Sequence, residues 1–333
     1  MERAVIHSDL KKKEIQPKEL LESYLTLLNQ DIKKMFIAEF LEEASCPVTG
    51  EQAVQESFSK MDMQYKVSKT FGNIYLSPRP SMDLLRQFYI ESSARKFWLT
   101  KLWPETAEVR KEKIILPQLE WISGFISQYS SEKKLHLAEF LPNHWDYYTT
   151  AMDLFPEWEY QLFESLFDSS MAERVVTDGS MTDELTDNSI DVTFLFEALD
   201  RSPVPLEVLA KAQNVLKPGG LCFITCLLSS GFEVKLLGQE SGIFAPPERM
   251  NLLSYEGMNT LIEKAGDFEV LEFSTPSVLD IPNVEKYLEQ DIDNSFFQYI
   301  FNLRQDYELR SSFQDFLQLN RLGTFGRLVL RKK

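Results

Sequence analysis

The chain has 333 residues, of which 44% are hydrophobic, and this is enough apolar material for a substantial core and more than one structural unit. Its formal net charge of −16 at pH 7 disfavours nucleic acid or an anionic membrane as the main partner, because both bind basic surfaces. No apolar stretch reaches the roughly 20 residues that span a bilayer, and residues 1–13 lack the apolar region of a signal peptide. We therefore expect a cytoplasmic protein.

The N-terminal part, residues 1–130, is predicted to be mainly helical. Apolar residues recur at three- and four-residue steps up to about residue 40, and again over 83–98 and 111–126, where Pro117 predicts a kink or boundary. The sequence Cys46-Pro47-Val48-Thr49-Gly50 predicts a turn, and residues 75–80 are expected to be extended.

Residues 131–333 are predicted to form one α/β domain. Lys217-Pro218-Gly219-Gly220 ends a helix-length segment, 206–216, which lies between two apolar runs. This is the pattern of strand, crossover helix, glycine turn and strand in a parallel sheet. The strands expected in chain order are 134–141, 148–155 as the weakest, 174–177, 190–196, 221–228, 268–273 and 325–330.

Helices should cover both faces of this sheet, because its strands are apolar on both sides. A helix is expected over 254–265, ending at Gly266, since glycine after the last helical residue is a common stop signal. Residues 284–319 predict a helical insertion before the last strand.

Three short motifs, quoted as they stand, resemble the second half of class I S-adenosylmethionine (SAM) methyltransferases. They are Ser189-Ile190-Asp191-Val192, Phe196-Glu197-Ala198-Leu199-Asp200 and Leu216-Lys217-Pro218-Gly219-Gly220. The resemblance implies a Rossmann-like sheet of seven strands, with the last strand antiparallel, and SAM as the cofactor.

The likeness extends outside the core. Cys46-Pro-Val-Thr-Gly is similar to half of a zinc-ribbon module that precedes the core in a bacterial methyltransferase group, often associated with sugar or secondary-metabolite substrates. Tyr75-Leu-Ser-Pro-Arg-Pro-Ser81 and Ala245-Pro-Pro-Glu-Arg-Met-Asn251 resemble further segments of that group. One cysteine cannot supply the four ligands of a structural zinc, so we predict no bound metal.

The cofactor motifs depart from the family pattern. The family has a Glu/Asp-x-Gly-x-Gly loop after the first strand, whereas residues 135–144 contain no glycine and place Phe140 and Leu141 there. An acid at the end of the second strand usually holds the ribose. Alignment puts Phe155 at that point, with Asp153 two residues away. The positions that correspond to the family's cofactor site are Leu137, Ala138, Glu139, Asp153, Phe155, Asp178 and Glu197.

Candidate catalytic residues are Asp200 and Arg201, at the end of the fourth family strand. Many relatives have His at the latter position, and Arg stays protonated at neutral pH, so it cannot act as a base. The alternative is a surface ion pair. For His136 and His144 a structural role is expected. The two cysteines Cys222 and Cys226 are expected to be small buried side chains rather than a disulfide.

An aromatic run either lines a ligand pocket or packs into the space that SAM would fill: Trp145, Tyr147, Tyr148, Phe155, Trp158, Tyr160, Phe163 and Phe167. Three functions stay open. The first is a methyltransferase-like protein with weakened or lost SAM binding that acts as a partner or small-ligand binder. The second is an active SAM-dependent methyltransferase on a small molecule or sugar. The third is a protein-interaction module, with a protein partner or a second copy of the chain.

Overall fold

The computed structural model describes residues 5–132, 134–167, 180–288, 297 and 307–333. Its centre is a seven-stranded sheet. The strands, numbered within this sheet, are β1 (His136–Phe140), β2 (Glu159–Phe163), β3 (Met181–Thr182), β4 (Ile190–Phe196), β5 (Leu216–Leu227), β6 (Phe268–Ser274) and β7 (Phe325–Lys332).

The spatial order of these strands is β6-β7-β5-β4-β1-β2-β3. Strand β7 runs antiparallel to its neighbours β5 and β6, while the β5–β4, β4–β1, β1–β2 and β2–β3 pairs are parallel. Residues Leu221 to Thr225 pair in parallel with Val192 to Phe196. The predicted fold class, a Rossmann-like methyltransferase sheet, is confirmed.

The Lys217-Pro-Gly-Gly turn is built into β5 as a bulge. Leu216 pairs with Ile190 and Leu221 with Val192, so the extra residues of β5 loop out between two closely spaced partners. Gly219 has a φ of 82°, which a residue with a side chain rarely adopts. The Lys217 ammonium group lies 2.7 Å from Oδ1 of Asp191 and holds the bulge against β4.

Side chains alternate along the strands between two separate cores, one on each face of the sheet. The first core contains Cys222 and Ile224 of β5 and packs under helices Pro205–Val215 and Tyr255–Ala265. The second contains Leu221 and Phe223 and packs under helices Leu116–Tyr129 and Asp146–Leu154. Helices on both faces were predicted from the two-sided apolar strands, and this is confirmed.

The predicted second strand at 148–155 is wrong. Asp146–Leu154 is a helix, and Phe155 is the residue that ends it. Its Tyr and Thr residues favour strands, but Tyr148 and Ala151 are three residues apart and both buried, as in a helix that packs by one face. The predicted strand at 174–177 and Asp178 lie outside the described residues.

The N-terminal part contains an antiparallel sheet that the sequence patterns did not predict. Its strands are Val54–Lys60, Met63–Ser68 and Ile74–Leu76, and a fourth strand, Asn251–Leu252, comes from the segment after β5. The N-terminal part and the α/β core therefore share a sheet. A second pair of short strands joins Leu41–Glu42 to Arg79–Pro80.

Helices make up most of the rest of the N-terminal part. They are Lys12–Ile15, Lys18–Met35, the short 3₁₀ turn Ala38–Phe40, Met82–Glu91, and a continuous helical segment over 93–129 that we call the 93–129 helix. Two π-helical stretches, Trp98–Leu102 and Lys111–Ile115, interrupt it, and each is followed within two residues by a proline, Pro104 or Pro117. A wider turn avoids the clash between the proline ring and the carbonyl four residues earlier. The helix therefore continues past Pro117 rather than ending there.

Short helices complete the described chain: Ala198–Arg201, Phe232–Leu237, the 3₁₀ turn Gly238–Glu240, Asp280–Leu288 and Tyr307–Leu319. The helical insertion was expected over 284–319: helix Asp280–Leu288 begins four residues before it, and helix Tyr307–Leu319 lies within it. Among the helices that the structure describes, none combines the length and the hydrophobicity needed to span a bilayer.

The three cysteines are buried and free. Cys46 begins the turn predicted at 46–50, and Nδ2 of Asn73 lies 3.6 Å from its sulfur. Across the described part of the chain, His, Cys, Asp and Glu residues do not gather into a group of three that could hold a metal ion.

Asn73 also joins the N-terminal sheet to the core, since its Oδ1 accepts a hydrogen bond from the amide of Ser254 at 2.9 Å. A Cβ on Gly257, in the first turn of the next helix, would lie 2.0 Å from that oxygen. We expect Gly257→Ala to destabilise the protein by about 1–3 kcal/mol, because the buried amide would have to move.

The matched control is Gly124→Ala, in the 93–129 helix, where nothing lies within 4 Å of the added methyl group. It should stabilise the protein by about 0.5–1 kcal/mol, the ordinary gain from Gly to Ala in a helix. Urea denaturation of both variants measures the two effects. Equal gains in stability would show that Asn73 does not pack against Gly257.

Candidate ligand-binding cavity

A cavity of about 520 Å³ lies at the carboxyl edge of the parallel strands. Residues at or just after the ends of β1, β4 and β5 line it, among them Asn143, Glu197 and Leu227. Doubly wound sheets bind their ligands at this edge, where the chain leaves in opposite directions from two adjacent strands. Here those strands are β1 and β4. Most of the remaining wall comes from the 93–129 helix and from residues 6–24, 242–249 and 276–283, and Glu233 and residues 324–327 contribute to it as well.

Three strands end in the same way at this edge. Each ends in Phe, and the next residue has a left-handed backbone: Leu141 with φ 49°, Glu164 with φ 50° and Glu197 with φ 52°. Non-glycine residues seldom adopt this conformation. Counted from Glu139, Leu141 stands at the first glycine of the Glu/Asp-x-Gly-x-Gly spacing. The turn that glycine would favour is thus present, but a leucine side chain that is 1% exposed fills the space beside it.

Arg201 bridges the gap between β1 and β4. Its Nη1 donates to the carbonyl of Phe196 at 3.0 Å and to that of Leu141 at 3.3 Å. The side chain is 2% exposed, and its guanidinium also lies 3.8 Å from Glu197 and 3.9 Å from Glu248. Arg201 therefore holds together the two strand ends at which a ligand is expected.

A second arginine completes this buried charge network. Nη2 of Arg249 donates to Oε2 of Glu197 at 2.7 Å. Burial opposes ionisation of Glu197, but Arg249 and Arg201 together outweigh it and keep the pKa of this carboxyl below its usual value. Glu248 accepts from the Tyr89 hydroxyl at 2.6 Å and from the Asn143 amide at 3.4 Å. Both glutamates are thus already bonded to protein groups.

The predicted surface ion pair of Asp200 and Arg201 is wrong, since both residues are only 2% exposed. Asp200 accepts a hydrogen bond from the amide of Leu227 at 2.9 Å. Burial raises the pKa of Asp200 to about 8, against the attraction of Arg249. Asp200 fixes the end of β5, and Arg201 alone of the pair lines the cavity.

Of the three β1 residues proposed by position, only Glu139 faces the cavity. Leu137 and Ala138 are fully buried within the two cores of the sheet. Oε2 of Glu139 accepts from the Tyr160 hydroxyl at 2.7 Å. Burial raises the pKa of Glu139 to about 7, although the Tyr160 hydrogen bond works in the opposite direction. Glu139 is thus a cavity-lining carboxyl whose pKa lies near neutral pH.

The positions proposed for the ribose acid need correction. Asp153 is an exposed residue of helix Asp146–Leu154, 3.9 Å from Lys111, and Phe155 stacks on Trp158. Strand β2 ends instead at Phe163, so the acid that follows it is Glu164. Its Oε2 accepts from Nη2 of Arg86 at 3.0 Å. After β3 the corresponding acid is Asp183, which is exposed.

Of the aromatic run named from the sequence, Tyr147 lines the cavity, and the others do not belong to its wall. A different aromatic group does: Trp98 and Trp103 of the 93–129 helix, with ring centroids 4.5 Å apart, and His144, 4.3 Å from Trp103. Burial lowers the pKa of His144, against the effect of Asp146, which lies 3.1 Å from its Nδ1. The other histidine, His136, is half exposed and lies 2.8 Å from Glu159.

The fixed cation of Arg201 in the β1–β4 gap disfavours the cationic groups of SAM at this point. This cofactor carries a sulfonium and an ammonium cation beside one carboxylate, and the carbonyls of Leu141 and Phe196 are already bonded to Arg201. Glu164, by contrast, is the type of residue that holds ribose hydroxyls, but it is paired with Arg86 and does not line the cavity.

The buried Glu139 predicts a pH-dependent stability. Its pKa is about 7 in the folded protein and near 4.5 when exposed, so folding takes up a proton between these values. Below pH 4.5 Glu139 is protonated in both states and does not reduce the free energy of unfolding. Between pH 4.5 and 7 it ionises only in the unfolded chain, so the free energy of unfolding falls as the pH rises. Above pH 7 this loss of stability stays constant. We expect Glu139→Gln, which keeps an acceptor for Tyr160, to raise the free energy of unfolding at pH 8 by up to about 3 kcal/mol.

Near pH 4 the same variant should match the wild type. Urea denaturation at pH 4, 6 and 8 measures the difference, in which the shared titration of Asp200 cancels. A difference of equal size at pH 4 and pH 8 would assign the effect to packing rather than to the charge of Glu139.

Comparisons with known proteins agree with this architecture. Residues 135–224, which run from β1 into β5, match the family model described as a methyltransferase domain. No curated protein is significantly similar to the chain.

Solved structures similar to the chain include phosphoethanolamine N-methyltransferase 2 of Haemonchus contortus, at 14% identity over 84% of this chain and 71% of that one, with a TM-score of 0.43. A SAM-dependent methyltransferase of Mesorhizobium loti is 11% identical over 62% of this chain and 96% of that one, with a TM-score of 0.38. One from Thermotoga maritima is 16% identical over 62% and 86%, with a TM-score of 0.37. The strand order and the family match assign the core to the fold of class I SAM-dependent methyltransferases.

Proposed function

We propose that this chain is a small-ligand-binding protein built on a methyltransferase fold, in which SAM binding is weak or lost. The observation that carries the proposal is the Arg201 guanidinium, which is hydrogen-bonded to the ends of β1 and β4. The protein would act as a non-catalytic partner in a pathway that also contains active relatives, and its ligand would be a small molecule or sugar.

Electrostatics support this proposal. SAM carries two cationic groups and one carboxylate, so its net charge is +1. If one of its cationic groups lay about 4 Å from Arg201, it would be repelled by about 4 kcal/mol at an effective dielectric constant near 20. That energy corresponds to about a thousandfold in the dissociation constant. The carboxylates of Glu197 and Glu248 could offset part of this repulsion. Both already lie within ion-pair distance of Arg201, however, and Glu197 is also paired with Arg249. Arg201 cannot relieve the conflict by losing its proton.

Active SAM-dependent methylation is the second candidate, and Glu164 favours it. This residue supplies the acid at the end of β2 that the sequence alignment had placed at Phe155. Methyl transfer depends mainly on alignment of the two reactants and demands few catalytic side chains. For this candidate to hold, either Arg201 leaves the β1–β4 gap, or the carboxylate of SAM rather than its cations faces this guanidinium.

One observation favours the third candidate, a protein-interaction module. Helix Tyr307–Leu319 leaves the large apolar side chains of Leu309, Phe316 and Leu319 exposed, and Phe316 is 49% exposed. Exposed apolar residues that recur on one helix are typical of surfaces that meet another chain. A protein partner or a homo-oligomer remains a proposal on this basis.

Calorimetry of the full chain with SAM and with S-adenosylhomocysteine separates the first two candidates. We expect no binding tighter than about 10 μM, which is about 7 kcal/mol of binding free energy. Tighter binding would overturn the proposal and support the enzyme.

Two variants identify the site if binding occurs. Glu164→Gln should then weaken it by about tenfold or more, because a charged acceptor for the ribose is lost. Asp153→Ala is the control and should change nothing, since this residue is 75% exposed and lies in helix Asp146–Leu154 rather than at the end of a strand. The opposite pattern would restore the alignment of Asp153 with the ribose acid.

A further inference from the structure

Arg95 is a buried cation without an ion-pair partner among the residues that the structure describes. It lies in the first turn of the 93–129 helix, lines the cavity and is 3% exposed. Its guanidinium carbon is 4.4 Å from the ring centroid of Trp98 and 5.3 Å from that of Tyr89. Within the same described ranges, Nε and Nη2 have no hydrogen-bond partner.

The carboxylate that attracts Arg95 most is that of Glu248, but it lies beyond ion-pair distance. Oε2 of Glu248 is occupied by the Tyr89 hydroxyl and the Asn143 amide, and it faces Arg201. Buried arginines are normally paired with a carboxylate or fully hydrogen-bonded, since an unpaired charge in a protein interior is unfavourable. The fork of Arg95 is therefore available to a group that enters the cavity.

Unpaired donors are concentrated in this wall. The cavity-lining nitrogens that are buried and have no hydrogen-bond partner in the described structure are Nε and Nη2 of Arg95, Nε1 of Trp103, Nε2 of Gln118 and Nε of Arg201, the last of which lies 3.9 Å from Glu248. On the acceptor side the corresponding set, again within the described part of the chain, contains one atom, Oδ1 of Asn283. A ligand that satisfies this wall must be rich in acceptors.

The charged side chains of the wall also favour an anion, because cations outnumber carboxylates there. Its lining includes seven Lys and Arg residues and four Glu, although the whole chain has a net charge of −16. The ring of His144 and the indoles of Trp98 and Trp103, tilted by 37–44° to one another, provide aromatic faces beside the cations.

We propose that the cavity binds a small organic anion, whose carboxylate or phosphate group pairs with the guanidinium fork of Arg95 and whose planar or apolar body lies against Trp98 and Trp103. This rests on the proposed function, because it names the ligand class of that same cavity. Both anions present two acceptor oxygens at the spacing that an arginine fork binds in a bidentate manner.

Pairs of charged and neutral probes test the proposal on the full chain without SAM. Benzoate is compared with benzamide, and phenyl phosphate with phenol, by titration of tryptophan fluorescence, since Trp98 contacts Arg95 directly. At least one anion should bind about tenfold or more tightly than its neutral partner, the effect of one charge-assisted contact in a closed site. Whichever anion gains more identifies the carboxylate or the phosphate as the natural group.

Arg95→Met removes the charge and keeps the apolar stem, and it should reduce the preference for the anion to within about twofold. Arg95→Lys should keep part of the preference, because the charge remains but the fork is lost. Arg331→Met is the matched control: this arginine also lies over a ring, that of Tyr129, but it is not part of the cavity wall. It should leave the preference unchanged.

Stability gives an independent readout. A binding arginine without partners should be dispensable for folding, so the melting temperature of ligand-free Arg95→Met should equal or exceed that of the wild type. A structural arginine would lower it when removed. If the Met variant does not fold, the probe pairs on the wild type and on Arg95→Lys still decide.

Equal affinity for charged and neutral probes, or a preference that survives in Arg95→Met, would overturn the inference. Neither result depends on the cofactor. Tight SAM binding would refute the proposed function and leave the anion site standing, while binding of neutral probes alone would refute the anion site and leave a small-ligand binder.

Discussion

The Arg201 guanidinium sets the constraint on which the rest of the site depends. It stays charged at every accessible pH and is 2% exposed, so the fold must surround it with acceptors. Two of these are the carbonyls at which β1 and β4 end, and two are the carboxylates of Glu197 and Glu248. Each carboxylate in turn binds a group from outside the strands, Arg249 in one case and Tyr89 in the other. One buried charge thus connects the sheet edge to the N-terminal part and to the segment after β5.

The parallel centre of the fold could be predicted because its signals are local. Apolar runs on both sides of a helix-length segment, with Lys217-Pro-Gly-Gly between the helix and the strand, specify a crossover unit without knowledge of distant contacts. The hairpin over 54–68 could not be found in this way. Strand Val54–Lys60 is exposed along most of its length, so it carries no alternation of apolar and polar residues for the sequence to display.

The error at the second strand had a different cause and a larger effect. Tyr and Thr residues made helix Asp146–Leu154 resemble a strand, and the true strand β2 is only five residues long. Because the second strand was misplaced, the alignment put Phe155 after it, whereas the residue that follows β2 in the structure is Glu164. The absence of an acid at this position was one of the two sequence arguments against SAM binding. The other argument, the loop without glycine, survives in altered form, because Leu141 adopts the left-handed turn that a glycine would favour. The burial of Arg95 could not be predicted from the sequence, since arginines on helices are usually solvated. Its lack of an ion-pair partner could not be predicted either, because it depends on the position of Glu248, which is distant in the chain.

The charge of the cavity wall is opposite to that of the molecule that contains it. An anion that approaches from solvent first meets the repulsive field of the acidic exterior, and attraction begins only within the wall of arginines. Added salt screens the long-range repulsion far more than contacts inside a closed cavity. Entry of such a ligand should therefore become faster as ionic strength rises, which is the reverse of ordinary electrostatic steering. The same field slows the re-entry of an anion that has escaped, so occupancy would be governed by how long a bound ligand stays rather than by how often one arrives.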